Sequence, residues 1–121
     1  MRVLIVYDSA IVRERLVSML SELKDVEVIG QAGSPAEAIH KIKKLKPDTV
    51  ILDIRLKGGN GTEVLENIKK DQPAIRVIMF TNFPFPQYRK KCMEAGADFS
   101  FDKSIEFEKM LEVVRKMVNG S

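Results

Sequence analysis

Four side chains in this sequence can do chemistry together: Asp8, Asp53, Thr81 and Lys103. Each closes or follows a short apolar run: Val3–Val6, Thr49–Leu52, Arg76–Phe80 and Phe99–Phe101. Two carboxylates held close together repel, and both stay ionised when a cation sits beside them. Magnesium suits such a pair, because it binds through one or two carboxylates, keeps waters and leaves room for phosphate oxygens. Lys103 adds a mobile positive charge and Thr81 a hydroxyl, both matched to the oxygens of a phosphoryl group. Carboxylate nucleophile, metal, lysine and hydroxyl form a phosphoryl-transfer set whose product is an aspartyl phosphate.

Positioning such a set is the task of the elements between these residues. Val3-Leu4-Ile5-Val6 is a continuous apolar run of the kind a buried parallel strand makes. From Ser9, a candidate N-cap, Val12, Leu16, Met19, Leu20 and Leu23 recur at helical spacing. A second strand fits Val26–Gly30, and Ser34-Pro35-Ala36-Glu37 opens a helix that stops near Pro47. Thr49–Leu52 is the third strand, and Gly58-Gly59-Asn60-Gly61 is a turn with an Asn60 or Thr62 cap before the third helix. Arg76–Phe80 is the fourth strand; a helix runs from about Pro86 to Glu94, stopped by Gly96. Phe99–Phe101 is the fifth strand, and Ser104 is expected to cap a last helix carrying Phe107, Met110, Leu111, Val114 and Met117.

Five strands alternating with five helices predict an α/β fold, a doubly wound parallel sheet covered on both faces. Right-handed crossovers favour the flavodoxin-like strand order 2-1-3-4-5. Ligands of such sheets bind beyond the carboxyl ends of the strands, between strands one and three. The chain has 121 residues, 45% hydrophobic and 31% charged, so residues 1–121 are read as one domain. Cys92 is the only cysteine, which excludes an internal disulfide and zinc sites of the four-cysteine or Cys/His type. No run approaches the length of a membrane span, and the apolar start is too short for a signal peptide. The expectation is a cytoplasmic protein with no membrane partner. The net charge is +3, with Lys41, Lys43, Lys44 and Lys46 densest. These lysines alternate with Ile42 and Leu45 as the wet face of a helix, so no direct nucleic-acid contact is expected.

Taken together, the motifs resemble the receiver domains of bacterial response regulators, of the chemotaxis-regulator kind. The resemblance runs through Val3-Leu4-Ile5-Val6-Tyr7-Asp8-Ser9, Leu52-Asp53-Ile54 with Gly61 eight residues after the aspartate, and Phe80-Thr81-Asn82. It continues in Glu94-Ala95-Gly96-Ala97-Asp98 and Asp102-Lys103-Ser104. It implies a two-component signalling protein in which Asp53 accepts a phosphoryl group from a histidine kinase or phosphotransfer protein. Asp8, Asp53 and the backbone carbonyl of Arg55 would hold Mg2+. Lys103 and Thr81 would bind the phosphoryl group, with Thr81 reporting to the face formed by helix four, strand five and helix five. Such a domain is a phosphoacceptor rather than an enzyme; its output is contact with a downstream protein or a second copy.

Four positions depart from the family pattern. Tyr7 stands where a second acid is usual, so Mg2+ is expected to bind more weakly. Asn82 replaces a small residue beside the phosphoryl entry, and Lys57 replaces a proline, predicting a looser turn after Asp53. Ser100 occupies the place of an aromatic that changes rotamer on activation, with Phe99 or Phe101 the available substitutes. Phe83, Phe85 and Tyr88 crowd the start of helix four and form a candidate partner face, at least one of them exposed. His40 reads as a solvated surface residue and Cys92 as a small packing residue. An aspartate-nucleophile phosphatase is disfavoured, because Arg55 stands where that chemistry needs an acid. The competing readings are a degenerate receiver that binds without phosphorylation, and the N-terminal piece of a DNA-binding response regulator.

Overall fold

The computed structural model describes residues 1–82 and 85–120. Caps read from the sequence set most helix starts. Ser9 accepts the Val12 N–H at 3.3 Å and opens α1 (Ala10–Ser21). Ser34 accepts the Glu37 N–H at 3.2 Å and opens α2 (Pro35–Leu45), while Glu37 reaches back to the Gly33 N–H at 2.7 Å. Asn60 and Glu63 close a reciprocal capping box on α3 (Gly61–Asp71). Each such cap satisfies N–H groups that the first helical turn leaves unpaired. Helix α2 ends in a left-handed Lys46, and Gly96 at φ 105° follows α4 (Pro86–Glu94).

The strands are β1 (Arg2–Val6), β2 (Glu27–Ala32), β3 (Thr49–Leu52), β6 (Arg76–Thr81) and β7 (Phe99–Asp102). They form one parallel sheet in the order β2-β1-β3-β6-β7, which is the expected 2-1-3-4-5 arrangement counted along the sheet strands. The second strand lies one to two residues later than the periodicity suggested. A separate two-stranded antiparallel hairpin, β4 (Arg55–Leu56) and β5 (Gly59–Asn60), was not anticipated. Its turn needs Gly58, whose φ of 77° suits a residue without Cβ.

That hairpin corrects the expectation of a looser turn at Lys57. The Lys57 N–H donates to the Gly33 carbonyl at 3.2 Å, a bond that a proline there would forfeit. The Gly61 N–H reaches the Ile54 carbonyl at 2.6 Å, so the whole segment after Asp53 is pinned back on itself.

Alternation along the strands divides the core into two layers. Leu4, Val6, Val50, Leu52, Val77 and Met79 pack with Ala38 and Ile42 of α2, Val64, Leu65 and Ile68 of α3, and Cys92 of α4. Val3, Ile5, Tyr7, Ile51, Ile78 and Phe80 pack with Leu16 and Leu20 of α1 and with Met110, Leu111 and Val114 of α5 (Phe107–Val118). Phe99 and Phe101 stack with centroids 6.3 Å apart and join this second layer. They therefore lie on the opposite face of β7 from Ser100 and cannot substitute there for the missing aromatic. Among the described residues no helix is long and apolar enough to cross a membrane.

The last helix starts later than expected, and Ser104 is not its cap. The Ser104 N–H and hydroxyl both donate to Asp102 Oδ1, at 2.9 and 2.5 Å, making a turn before the helix. Glu106 is the N-cap residue, without a side-chain cap bond, because its carboxylate is engaged elsewhere.

The turn after β3 makes a testable demand on residue 61. A Cβ on Gly61 would stand 2.0 Å from the Asp53 carbonyl oxygen, so Gly61→Ala should cost at least about 3 kcal/mol, the upper range for overpacking. In urea unfolding it should rank with Ile68→Ala, a fully buried α3 residue, for which cavity formation costs about 2–5 kcal/mol. Ile11→Ala, on a side chain 64% exposed, should stay within about 0.5 kcal/mol of the parent.

Candidate functional site

The carboxyl ends of β1, β3 and β6 and the loop after β7 bring Asp8, Asp53, Thr81 and Lys103 to one rim. Val6 is the register partner of Leu52, and the Asp53 N–H continues the ladder to the Val6 carbonyl at 3.0 Å. On the other side, Thr81 pairs with Asp102 in β7, and the Lys103 N–H donates to the Thr81 carbonyl at 3.0 Å. The sheet ladder alone thus aligns the four positions.

Asp53 is buried, at 8% exposure, and its two oxygens have different partners. Oδ1 accepts the Ile54 N–H at 2.8 Å and the hydroxyl of Thr81. Oδ2 faces the Lys103 ammonium at 3.9 Å. The Lys103 Nζ also lies 5.5 Å from the centroid of the Tyr7 ring, within cation–π range. Lys103 is thereby held between an aromatic face and the carboxylate.

Tyr7 does more than lack an acid. Its ring is fully buried in the α1/α5 layer, and its hydroxyl donates to the Phe80 carbonyl. Burial, reinforced by the Asp53 charge, pushes the phenol well above its ordinary pKa, so it stays a neutral donor. Asp8 is exposed at the rim. Its main-chain carbonyl, with that of Tyr7, accepts Arg13 Nη1 at 3.1 and 2.6 Å, and Arg13 Nε reaches Gln31 at 3.2 Å. The periodicity of α1 did not single out Arg13. Its position one helical turn after the Ser9 cap, beside the rim, was the available signal.

The donor set suits a hard divalent cation of the magnesium type. It offers two strand-end carboxylates and nearby main-chain carbonyls, with no thiolate or imidazole in reach of sequence or fold. Among the described residues no three His, Cys, Asp or Glu side chains form a metal-binding group, so water must complete any shell there. Arg55 lies on β4 with its side chain exposed, and Asn82 is exposed just after β6.

A second polar cluster lies behind the rim. Ser100 is buried at 7% exposure, and Arg89 of α4 donates Nε to its hydroxyl at 3.0 Å and Nη2 to its carbonyl at 2.6 Å. Arg89 Nη1 also meets Glu106 Oε1 at 2.9 Å, and that oxygen accepts the Asp102 N–H at 2.9 Å. The Asp102 N–H, and after it the Arg89 charge, holds the Glu106 carboxyl below its usual range. The Ser104 hydroxyl and N–H lower Asp102 in the same way. No motif in the sequence announced this cluster, because its members come from three elements. Of the aromatic trio, Phe85 is 57% and Tyr88 37% exposed, their rings stacked at 6.2 Å, and Phe83 lies outside the described residues. His40 is exposed and Cys92 buried, as read from the sequence; burial raises the thiol's pKa.

Comparison with known proteins matches this geometry to one family. A family model described as the response regulator receiver domain matches residues 3–115. Response regulator protein VraR of Staphylococcus aureus is 36% identical over 119 residues, covering 98% of this chain and 57% of that protein. The chain thus spans little more than half the length of that relative. The response regulator domain of Thermotoga maritima CheB superposes with a TM-score of 0.87 at 32% identity, covering 98% of this chain and 96% of that one. A DNA-binding response regulator of the LuxR family from Staphylococcus aureus gives 0.88 at 29% identity, covering 97% and 98%. Sheet order, rim residues and these likenesses agree: the chain belongs to the response regulator receiver family.

Proposed function

We propose that this receiver is a working phosphoacceptor, with Asp53 taking a phosphoryl group from the phosphohistidine of a histidine kinase or phosphotransfer protein. The observation that carries this reading is the asymmetry at Asp53. One oxygen is committed to Thr81 and the Ile54 N–H, while the other faces Lys103 at 3.9 Å. Oδ2 attacks phosphorus, the P–N bond to imidazole breaks, and its electrons leave with the imidazole, which takes up a proton. The acyl phosphate formed carries more negative charge than the carboxylate it replaces, and Lys103 moves toward it. Thr81 turns its hydroxyl from Oδ1 to a phosphoryl oxygen. Asp8, Asp53 and the Arg55 carbonyl would hold Mg2+, whose contribution when bound is to neutralise charge on the transferring oxygens.

The proposed output is a changed contact with another protein, a downstream partner or a second copy, rather than catalysis on a substrate. A second reading concerns the wider protein: the chain is the receiver portion of a longer DNA-binding regulator. Its 57% coverage of VraR and its likeness to a DNA-binding LuxR-family structure favour it. In that arrangement the receiver itself makes no contact with nucleic acid, which matches its dispersed charge of +3. The phosphorylation-independent alternative finds its support in Tyr7, which leaves two carboxylates at the rim.

Incubation with a small-molecule phosphodonor and Mg2+, followed by intact-mass measurement, tests the central reading. The parent protein should gain one phosphoryl group and Asp53→Asn none; no gain by the parent, even at high Mg2+, would favour the phosphorylation-independent module. Tyr7→Asp separates metal affinity from packing. Calorimetric titration should show Mg2+ binding several-fold tighter in that variant, while urea unfolding shows a loss of about 3 kcal/mol from the vacated aromatic site. Unchanged Mg2+ affinity would remove Tyr7 as the weak point of the site.

A further inference from the structure

Helix α4 is held to the domain by very little apolar contact. Of its nine residues only Cys92 is buried, and all the others except Arg89 are exposed. Its N-cap residue, Phe85, makes no side-chain cap bond. Elements with so few buried contacts open at low free-energy cost. What fastens α4 is the guanidinium of Arg89, which bridges Ser100 of β7 and Glu106 at the start of α5.

Ser100 makes this possible. A large ring at position 100 would occupy the space over β7, whereas the small hydroxyl leaves room for a guanidinium and accepts one of its bonds. The bridge is also wired to the rim. Glu106 Oε1 takes both the Arg89 and the Asp102 N–H bonds, Asp102 pairs with Thr81 across the sheet, and Thr81 holds Asp53. Lys103, the residue after Asp102, is tied to the Thr81 carbonyl and to Asp53.

We infer that Arg89 is the switch residue of this receiver: its guanidinium clamps α4 onto β7 and α5, and phosphorylation of Asp53 releases that clamp. The inference rests on the phosphoacceptor reading and names the way that site is coupled to the surface. When Thr81 and Lys103 move toward a phosphoryl group, they draw on Asp102, whose N–H shares Glu106 Oε1 with Arg89. Because Glu106 Oε1 is tied to the Asp102 N–H, a displacement of the Asp102 main chain carries that carboxylate with it. The carboxylate is thereby taken out of line with the Arg89 guanidinium, whose other two bonds stay on Ser100. With the clamp slack, α4 is left with Cys92 as its one buried anchor, and the stacked Phe85 and Tyr88 rings move with it. The clamp acts as a two-state element that one site biases and another surface reads.

Amide hydrogen exchange over residues 86–94, with intact mass recorded on the same samples, tests this. In the parent protein, phosphodonor with Mg2+ should speed exchange in α4 roughly tenfold, the mark of a lowered local opening cost. Arg89→Ala should show fast α4 exchange without donor and less than about a twofold further change with it, while still taking up a phosphoryl group. Glu106→Gln, which keeps side-chain size, should fall between, and Lys90→Ala, on an exposed neighbour of Arg89, should behave as the parent. Parent-like α4 protection in donor-free Arg89→Ala, or an undiminished donor response in that variant, would overturn the inference. Absence of phosphoryl uptake by the parent would instead overturn the phosphoacceptor reading and the release step with it. The donor-free comparison of parent with Arg89→Ala then still decides whether the clamp exists.

Discussion

A carboxylate held out of water at the end of a parallel sheet is the constraint around which this molecule is arranged. Removing such a charge from solvent costs several kcal/mol unless partners replace the lost water. Asp53 has three: the Thr81 hydroxyl, the Ile54 N–H and the Lys103 ammonium. Each comes from a different strand end or the loop behind it, so the sheet register must be correct before the charge is tolerable. The bonds of Asp53 and Lys103 to the neighbouring strands serve this register as much as the chemistry. The segment after Asp53 obeys the same demand, since Gly61 lies so close to the Asp53 carbonyl that no side chain fits between them.

The two core layers divide the labour. The α2/α3/α4 layer is built from aliphatic side chains and one cysteine, and the α1/α5 layer carries Tyr7 and Phe80 directly beneath the rim. Tyr7 exchanges a charge for packing: its ring supports Lys103 from below, while its hydroxyl is turned away to the Phe80 carbonyl. A rim with two carboxylates instead of three has less self-repulsion to offset in the absence of metal. It also has less attraction to offer a cation. On the phosphoacceptor reading, the same residue would favour the empty site at the expense of cation affinity.

Local signals were legible because their physics is local. Ser9, Ser34 and Asn60 cap helices through bonds spanning three residues or fewer, and apolar runs ending at Asp8, Asp53 and Thr81 marked the strand ends. The strand order followed from chain connectivity. What escaped the sequence depends on partners distant along the chain. Lys57 tightens its turn only because Gly33 is there to receive its N–H. Ser104 loses its capping role because Asp102 claims its hydroxyl first. Phe99 and Phe101 sit on the wrong face of β7 to stand in for an aromatic at Ser100, a matter of alternation that residue type alone does not settle. Arg89, Ser100 and Glu106 carry no motif, since three elements must dock before their bonds exist.

Tyrosine placement gives the molecule a pair of built-in optical probes. The chain has two tyrosines and no tryptophan, so emission excited at wavelengths beyond phenylalanine absorption comes from these phenols alone. Tyr7 lies in an apolar layer beside Asp53 and under Lys103, where any change in local charge alters its surroundings directly. Tyr88 stands on α4 against Phe85, open to solvent and to collisional quenchers. One ring thus lies beside the rim and the other on the helix. A quencher that reaches only Tyr88 separates the two signals without any label.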